Sequence, residues 1–446
     1  MNEGHPSFGE AFRVWVKVGL LSFGGPAAQI ATMHRILVDE KKWISEARFL
    51  HALNFCMLLP GPEAQQLATY VGWLLHRGPG GVAAGILFVL PGFLVMMGLA
   101  ALYAGFQQVP LVDALFYGIK PAVLAVVLEA LLRIGRRALK HRIFLWLATA
   151  AFVGIFFLAI PFPLVVLAAG SVGFVAARAG HPAFLPAAQA QDQGAADRII
   201  ETGADHLRPG AARLTRLVVL LLLLWWGPVL AAMAWGEGSF AAIGLFFSKL
   251  AVVTFGGAYA VLAYVAQEAV EVQGWLRPGE MLDGLGLAET TPGPLILVNQ
   301  FVGFLAGWRD PGPLAPWLGG VAGAAMAVWV TFTPCFLWIL AGAPFVERLR
   351  GNGALSGALS AITAAVVGVI FNLAVWFALH VLFARIDEQR IGPIQLGVPQ
   401  WSSLDPAALV LAVLAAVAML RFHAGMLTTL AACGLAGAVW RLLLLP

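Results

Sequence analysis

Long apolar runs are the feature that most constrains the fold of this chain. About 20 apolar residues span the hydrocarbon core of a bilayer, and thirteen runs of roughly that length recur over the 446 residues. Inside a bilayer every backbone N–H and C=O group must find its partner within the protein, so runs of this length predict helices. We therefore expect an all-α, polytopic membrane protein. The runs are roughly 11–33, 50–76, 80–106, 112–132, 143–160, 162–178, 214–235, 240–266, 282–308, 314–342, 356–384, 405–421 and 424–445.

Composition and charge exclude the soluble classes of protein. Hydrophobic residues make up 60% of the chain and charged residues only 11%, and the mean hydropathy is +0.86, far from the values of soluble domains. The net charge of +4 is small and lies in short loops, so we expect no binding of nucleic acid. Three scattered cysteines form no C-x-x-C pair, and the histidines show no metal-ligand spacing. The sequence predicts no metal site and no cofactor.

A long duplication links the two halves of the chain. The stretch KVGLLSFGGPAAQIA, which begins at Lys17, matches KLAVVTFGGAYAVLA, which begins at Lys249, at an offset of 232 residues. Without a gap, the Pro-Gly-Pro of 60–62 then meets the Pro-Gly-Pro of 292–294, and 13 of 46 positions are identical. Apolar composition alone would not align glycines and prolines in register. The pattern predicts two homologous repeats.

The predicted organisation has four parts, and the second repeat is inverted. The first transporter repeat is 8–179, a cytoplasmic linker rich in Ala, Gln and Asp is 180–213, an extra transmembrane helix is 214–235, and the second repeat is 240–446. Seven apolar runs separate equivalent starting points of the two repeats. An odd number of crossings places the repeats in opposite orientations, an architecture common in secondary transporters.

Loop charges favour helices that enter the membrane, break and return. If every run crossed fully with the N-terminus inside, the loop that carries Arg35, Lys41, Lys42 and Arg48 would lie outside, against the positive-inside rule. If the first two runs of each repeat return to the same side, that loop lies inside and the inversion is unchanged. The sequence thus favours broken or re-entrant segments over fully spanning ones, without deciding between them.

The Pro-Gly-Pro and Phe-Gly-Gly motifs predict these breaks. Proline removes an amide donor and glycine adds conformational freedom, so both motifs interrupt a helix. Unwound backbone at membrane depth is tolerated only where protein buries it or where it lines a wet cavity. A helix that resumes after such a break begins with free N–H groups and the positive end of its dipole, which together attract anions.

These considerations predict a site for a small anion at the repeat interface. Glu63 does not suit an anion site as a charged carboxylate, but a protonatable acid beside such a site is a candidate coupling element. Close helix packing is the alternative interpretation of the glycine motifs; if it holds, the site should be sought around Lys17, Lys249 and Glu129. The predicted substrate-binding residues are Lys17, Gly24, Gly25, Pro26, Pro60, Gly61, Pro62, Glu63, Gln65, Gln66, Lys249, Gly256, Gly257, Thr290, Thr291, Pro292, Gly293, Pro294, Asn299 and Gln300.

The duplicated F-G-G-P and P-G-P blocks, with the W-[IL] of Trp43 and Trp275 between them, resemble the chromate ion transporter family in its long, two-domain form. The resemblance covers nearly the whole chain. It implies export of chromate across the bacterial inner membrane by a multi-pass protein, which gives chromate resistance, with sulfate as a related dianion that competes or exchanges. The second copy departs from the first, because Ala258 replaces Pro26 and Leu295 replaces Glu63. A coupling carboxylate would therefore belong to the first repeat.

Other functional classes are weighed by their motifs. No H-E-x-x-H, G-x-S-x-G or Walker pattern is present, so we expect no enzyme. Transport of sulfate or another oxyanion and a passive anion channel remain alternatives, with a membrane-embedded enzyme behind both. The expected partners are a small tetrahedral oxyanion and the lipid bilayer, and a homodimer is also compatible with the sequence. Charged residues interrupt the first thirty positions, so no cleaved signal peptide is expected.

Overall fold

Helices dominate the part of the chain that the structure, a computed structural model, describes. That part comprises residues 6–184, 211–255, 257–342, 353–392 and 394–444. Most of the predicted linker, 185–210, and Gly256 of the predicted site lie outside it.

Sixteen α-helices run through the described residues. Several carry an extra turn of another kind: α2 and α10 continue as π-helical turns, and a 3₁₀ turn at Leu295–Leu297 precedes α12. The helices are α1 Phe8–Leu21, α2 Gly25–His34, α3 Glu46–Cys56, α4 Glu63–Phe106, α5 Pro110–Ala138, α6 Arg142–Phe156, α7 Phe162–Arg178, α8 Ala211–Trp235, α9 Phe240–Val253, α10 Ala258–Ala266, α11 Pro278–Thr290, α12 Val298–Arg309, α13 Pro316–Gly342, α14 Gly353–Leu382, α15 Pro406–Phe422 and α16 Met426–Val439.

Five of these helices are long and apolar enough to cross a membrane, and they are α4, α5, α8, α13 and α14. Further apolar helices of 10–17 residues include α6, α7, α9, α15 and α16. The prediction of a helical polytopic membrane protein is confirmed. One small departure is an antiparallel hairpin of β1, Ile386–Ile391, and β2, Ile394–Pro399.

Helix α4 is a helical hairpin rather than one continuous rod. His76 and Arg77 have non-helical backbone angles, and the φ of Arg77 is +56°. Glycines line the contact between the two arms, since a Cβ atom on Gly81 would lie 2.9 Å from the carbonyl oxygen of Thr69. Small residues let helix backbones approach closely where water is absent. The apolar runs 50–76 and 80–106 are thus separated by a tight turn.

The described residues form two compact units, and each draws on both halves of the sequence. Unit 1 comprises 1–100, 187–258 and 288–352, and unit 2 comprises 101–186, 259–287 and 353–446. These units do not coincide with the predicted repeats, because each contains parts of the first and of the second. The division into two repeats stays a prediction from the sequence.

Each unit is packed through small residues. In unit 1, α12 and α13 lie antiparallel, and a Cβ atom on Gly303 would meet the carbonyl oxygen of Gly323 at 2.6 Å. In unit 2, α14 packs against α6 and α7, and Gly368 lies against the backbone of Ala148. Glycines here bring backbones together rather than loosening the helices.

Candidate functional site

Four interruptions of the helices lie within unit 1. They fall between α1 and α2 at 22–24, between α3 and α4 at 57–62, between α9 and α10 at 254–257, and between α11 and α12 at 291–297. Each interruption falls at one of the Phe-Gly-Gly or Pro-Gly-Pro motifs, although Gly25 already belongs to α2 and Gly256 is outside the described residues. The backbone groups of these segments cannot bond within a helix, so their partners decide what the segments do.

Two crossed hydrogen bonds tie the interruptions to one another. The backbone N–H of Gly61 donates to the carbonyl oxygen of Thr254 at 2.7 Å, and the N–H of Gly293 donates to the carbonyl oxygen of Ser22, also at 2.7 Å. The two donors are 232 positions apart and so are the two acceptors. Each Pro-Gly-Pro glycine therefore binds the residue that precedes Phe-Gly-Gly in the other half of the sequence.

The acceptor residues are themselves held in matching ways. The Ser22 hydroxyl donates to the carbonyl oxygen of Val18, and the Thr254 hydroxyl donates to that of Leu250, both at 2.6 Å. Each hydroxyl satisfies a carbonyl group in the last turn of its own helix, where no N–H follows. The crossed arrangement thus begins from two equivalent helix ends.

Positive φ angles and tight packing make glycine necessary at the crossing. Gly61 has φ +121° and Gly293 has φ +93°, which strains any residue with a side chain. A Cβ atom on Gly61 would lie 2.8 Å from the Sγ atom of Cys335, and one on Gly92 would overlap the carbonyl oxygen of Pro292. Each Pro-Gly-Pro segment therefore packs against the proline-containing helix of the other sequence half.

Buried amide side chains support the unwound backbone. The amide nitrogen of Gln66 donates to the carbonyl oxygen of Pro60 at 2.7 Å, and that of Gln29 donates to the carbonyl oxygen of Gly293 at 2.7 Å. The amide of Gln300 binds the Phe93 carbonyl oxygen at 2.8 Å. The Pro60 and Gly293 carbonyl groups lie in unwound segments without helical donors, so Gln66 and Gln29 replace missing N–H groups there, whereas Gln300 ties α12 to a carbonyl group of α4.

Two further amides bind hydroxyl groups instead of backbone. Gln65 donates to the Thr69 hydroxyl at 3.1 Å, and Asn299 donates to the Thr331 hydroxyl at 3.4 Å. Among the residues that the structure describes, the amide oxygens of both have no hydrogen-bond partner, and the same holds for Gln29, Gln66 and Gln300. A buried acceptor without a donor is costly, so each of these amides would gain from a hydrogen-bond donor, or from turning its N–H group towards an acceptor.

Glu63 lies at the start of α4 and faces the other Phe-Gly-Gly motif. A Cβ atom on Gly257, whose φ is +91°, would lie 3.3 Å from a carboxylate oxygen of Glu63. The equivalent positions are Gly25, where an added Cβ atom would meet nothing within 4 Å, and the apolar Leu295. Chemically, the two halves of the crossing are therefore different, and the acid occurs on one side.

The two predicted lysines lie at the surface. Lys17 is exposed and pairs with Glu40 at 3.3 Å, and Lys249 is also exposed. A pair between exposed side chains contributes little to stability. The structure thus does not bring the Lys17 ammonium group into the buried interruptions.

The remaining predicted residues occupy defined places in the interruptions. Gly24 and Gly25 have φ +83° and +77°, and Pro26 belongs to the first turn of α2. Thr291 is buried and its hydroxyl donates to the Ala288 carbonyl oxygen, whereas Thr290 is exposed. Prolines 62, 292 and 294 are buried, and Pro60 is partly buried.

Sequence reasoning missed two polar residues of this region. Gln29 is 1% exposed and holds Gly293, and Glu289 is 2% exposed directly before the Thr-Thr-Pro-Gly-Pro segment. The signal was available in both cases, because a polar residue within an apolar run beside a helix break is rarely neutral in function. Neither has a polar counterpart in the other repeat, which is why a search by repeats passed over them.

Discontinuous helices whose unwound segments meet inside an apolar helical protein are common in membrane transport proteins, and the fold and the crossing have this form. The comparison with known families agrees. The chromate transporter family model matches residues 9–174 and 241–438. The chain belongs to the chromate transporter family.

Curated relatives resemble the chain over most of its length. A chromate transport protein of Pseudomonas aeruginosa is 32% identical over 88% of this chain and 85% of its own. A probable chromate transport protein of Synechococcus elongatus is 27% identical over 82% and 84%, respectively. A chromate transport protein of Cupriavidus metallidurans is 27% identical over 80% and 79%. No solved structure gives a significant match.

The crossing predicts a specific loss of stability. Gly293→Ala places a side chain at φ +93°, 3.3 Å from Leu297, and we expect it to lower the free energy of unfolding by about 1–3 kcal/mol. Gly98→Ala is the matched control, because an added Cβ atom there meets nothing within 4 Å. Thermal unfolding of the purified protein in detergent measures both. Equal melting temperatures for the two variants would contradict the role assigned to the crossing.

Proposed function

We propose that this protein moves chromate, a small tetrahedral oxyanion, across the bacterial inner membrane, and that the direction is export, which gives chromate resistance. Membership of the chromate transporter family supports the substrate. The single observation that carries the site is the crossed pair of hydrogen bonds, Gly61 to Thr254 and Gly293 to Ser22. It gathers four interrupted helices around one place in unit 1.

The proposed site holds the anion at the resumed helices. The first amides of α4, from Glu63 onward, have no acceptor within their own helix, and the same is true at the start of α2. Free N–H groups and the positive helix ends attract a dianion without a buried lysine. The site comprises the predicted motif residues 24–26, 60–63, 256–257 and 290–294 together with Gln65, Gln66, Asn299 and Gln300; Lys17 and Lys249 would act from the surface.

Gln65 and Asn299 are the side chains best suited to donate to the anion. The amides of Gln29, Gln66 and Gln300 bind backbone carbonyl oxygens, which only accept, so their orientation is fixed. The amides of Gln65 and Asn299 bind hydroxyl groups, which both donate and accept. Turning either amide over would present N–H groups to a guest. The Thr69 and Thr331 hydroxyl groups, which now donate to the carbonyl oxygens of Gln65 and Ala327, would then exchange those bonds for bonds to the amide oxygens.

Glu63 is the proposed coupling group. It is the acid of the crossing that faces Gly257, and an anion next to a carboxylate is favoured when the carboxylate carries a proton. Binding of the oxyanion would then be linked to protonation of Glu63, which connects transport to a proton gradient. Sulfate, as a dianion of the same shape, is proposed to compete with chromate or to exchange for it.

Uptake of chromate into inside-out membrane vesicles tests the function. We expect accumulation against the chromate gradient, inhibition by excess sulfate, and loss of uptake when Gly293→Ala disturbs the crossing while the protein still inserts. Gly98→Ala should transport like the wild type. Full uptake by the Gly293 variant would show that the crossing is a packing device, and absence of chromate uptake by the wild type would overturn the function.

Replacement of the neutral amides by carboxylates tests the proposed donors. Gln65→Glu and Asn299→Asp keep the side-chain shape but replace N–H donors with a negative charge, so we expect chromate transport to fall by at least tenfold, through a higher KM. Asn54→Asp is the matched control, because Asn54 is an exposed amide on α3. Initial rates of uptake over a range of chromate concentrations give the KM of each variant. An unchanged KM in both interior variants would remove these residues from the site.

Replacement of Glu63, the proposed coupling acid, distinguishes a coupled transporter from a passive anion channel. We expect Glu63→Gln to bind chromate with similar affinity but to lose accumulation against a gradient, since the amide cannot exchange a proton. Downhill flux, measured in the same vesicles without a proton gradient, should persist. Uphill transport by Glu63→Gln at the wild-type level would exclude Glu63 as the coupling group. A wild type that never accumulates chromate would favour the alternative of a passive channel.

A further inference from the structure

Unit 2 contains a polar cavity that the proposed function does not use. It has a volume of about 650 Å³ and is lined by the end of α4, the first turns of α5 and the start of α11. Two cations and three acids line it, together with Gln107 and Gln108. The charged residues are Lys120, Arg277, Asp113, Glu280 and Asp283.

Asp283 is the buried acid of this cavity. It is 2% exposed, and its Oδ2 atom accepts a hydrogen bond from the Tyr103 hydroxyl at 2.7 Å and lies 3.5 Å from the Lys120 ammonium group. Its Oδ1 atom is buried and has no hydrogen-bond partner among the described residues. A carboxylate oxygen in this situation is a place where a proton can be added without breaking a hydrogen bond.

The other two acids of the cavity already have partners. Asp113 pairs with Arg441, and a carboxylate oxygen of Glu280 accepts the backbone N–H of Arg277 at 2.7 Å, which caps the start of α11. Within the described part of the cavity, the carboxylate that forms an ion pair with Lys120 is that of Asp283, at 3.5 Å. While Asp283 is charged, the Lys120 ammonium group is neutralised, and protonation of Asp283 leaves that positive charge unbalanced.

The Lys120 ammonium group also lies next to a helix start. A Cβ atom on Gly279 would be 3.1 Å from Lys120 Nζ, and Gly279 belongs to the first turn of the 13-residue helix α11. A cation beside the positive end of a helix is an unfavourable neighbour; the Glu280 carboxylate at the Arg277 N–H offsets this in part, and an anion next to Lys120 would offset it further. The cavity thus offers an anion a lysine, a helix start and the side-chain amide of Gln107, with the exposed Gln108 at its rim.

We propose that this cavity is a second anion-binding site, in which Lys120 and the start of α11 hold a small oxyanion when Asp283 carries a proton. The proton comes from the solvent and binds Oδ1 of Asp283. The Lys120 to Asp283 ion pair is then released, and the oxyanion takes the place of the carboxylate. The identity of the ligand rests on the proposed function, whereas the site itself rests on the geometry of unit 2.

The proposal fixes the sign of a pH dependence. Anion binding takes up one proton, so the affinity is highest at low pH and falls as the pH rises, by at most about tenfold per pH unit. The charged and titratable groups that face Asp283 are Lys120, Tyr103, Arg277 and Glu280, and Asp113 lines the same cavity. Only Asp283 combines burial with an oxygen atom that lacks a partner.

Protection of an introduced thiol reads out this cavity alone. Gln108→Cys places a thiol at the exposed rim of the cavity, and Ser402→Cys, on the surface of the same unit, serves as the control. The purified full-length protein is treated with a neutral maleimide at pH 6, 7 and 8 with increasing sulfate, which stays doubly charged over this range, unlike chromate. Labelling of the unsubstituted chain, whose three cysteines are buried, is subtracted.

We expect sulfate to protect Cys introduced at 108 but not at 402, with the half-protecting concentration rising up to about tenfold per pH unit. In the Gln108→Cys background, Asp283→Asn should bind sulfate with no pH dependence, Lys120→Gln should lose protection, and Lys120→Arg should restore it in part. Asp113→Asn should keep the wild-type pH dependence. Absence of protection in the parent, or pH dependence that survives Asp283→Asn, would overturn the proposal.

This result is separable from the proposed transport function. Gly293→Ala lies in unit 1 and is expected to abolish chromate uptake without changing the protection at position 108. Protection with normal pH dependence in a protein that does not transport chromate would support the cavity and contradict the function. Chromate transport by a protein in which sulfate does not protect the thiol at position 108 would support the transport function and contradict the proposed cavity site.

Discussion

The rest of unit 1 depends on how a broken helix satisfies its backbone groups where no water is available. Each Pro-Gly-Pro interruption exposes an N–H group and several carbonyl groups, and leaving them unpaired would cost several kcal/mol in an apolar interior. Gly61 and Gly293 solve this by donating to Thr254 and Ser22, the last residues before the opposite Phe-Gly-Gly motifs. Buried amides then bind the carbonyl groups that remain. The interruptions are therefore stable only as a crossed pair.

Equivalent backbones carry unequal side chains at this crossing. The N–H donors, the carbonyl acceptors and the hydroxyl groups of Ser22 and Thr254 match between the halves, whereas Glu63 stands opposite Leu295 in the alignment and Gln29 has no polar counterpart. The acids also lie at different places in the two halves, with Glu63 directly after the first Pro-Gly-Pro segment and Glu289 before the second. In the anion site proposed for unit 2, one acid likewise has the central part, because the charge state of Asp283 decides whether the Lys120 ammonium group has a carboxylate partner.

Local chemistry explains which features could be predicted from the sequence. The helix interruptions follow from proline and glycine, whose effects act within one or two turns, and the helical class follows from apolar length. The partners of Gly61 and Gly293 are about 190 and 270 residues away in the chain, and no local pattern specifies them. The surface position of the Lys17 side chain could not be predicted either, because a lysine in an apolar helix can extend along the surface to a carboxylate such as Glu40. The small hairpin at 386–399 was missed for want of a long alternating pattern.

The crossed hydrogen bonds also determine when, during synthesis of the chain, the first Pro-Gly-Pro segment can fold. The acceptor of Gly61 is Thr254, so 193 residues must be added after Gly61 before its N–H group finds its partner. At about 5–20 residues per second, this delay is roughly 10–40 seconds. During that interval the first Pro-Gly-Pro segment sits in or beside the bilayer with unsatisfied backbone groups. The first half of the chain therefore cannot complete its hydrogen bonds before the second half is made. Until the ribosome has passed residue 254, the insertion machinery or lipid headgroups must provide partners for these backbone groups.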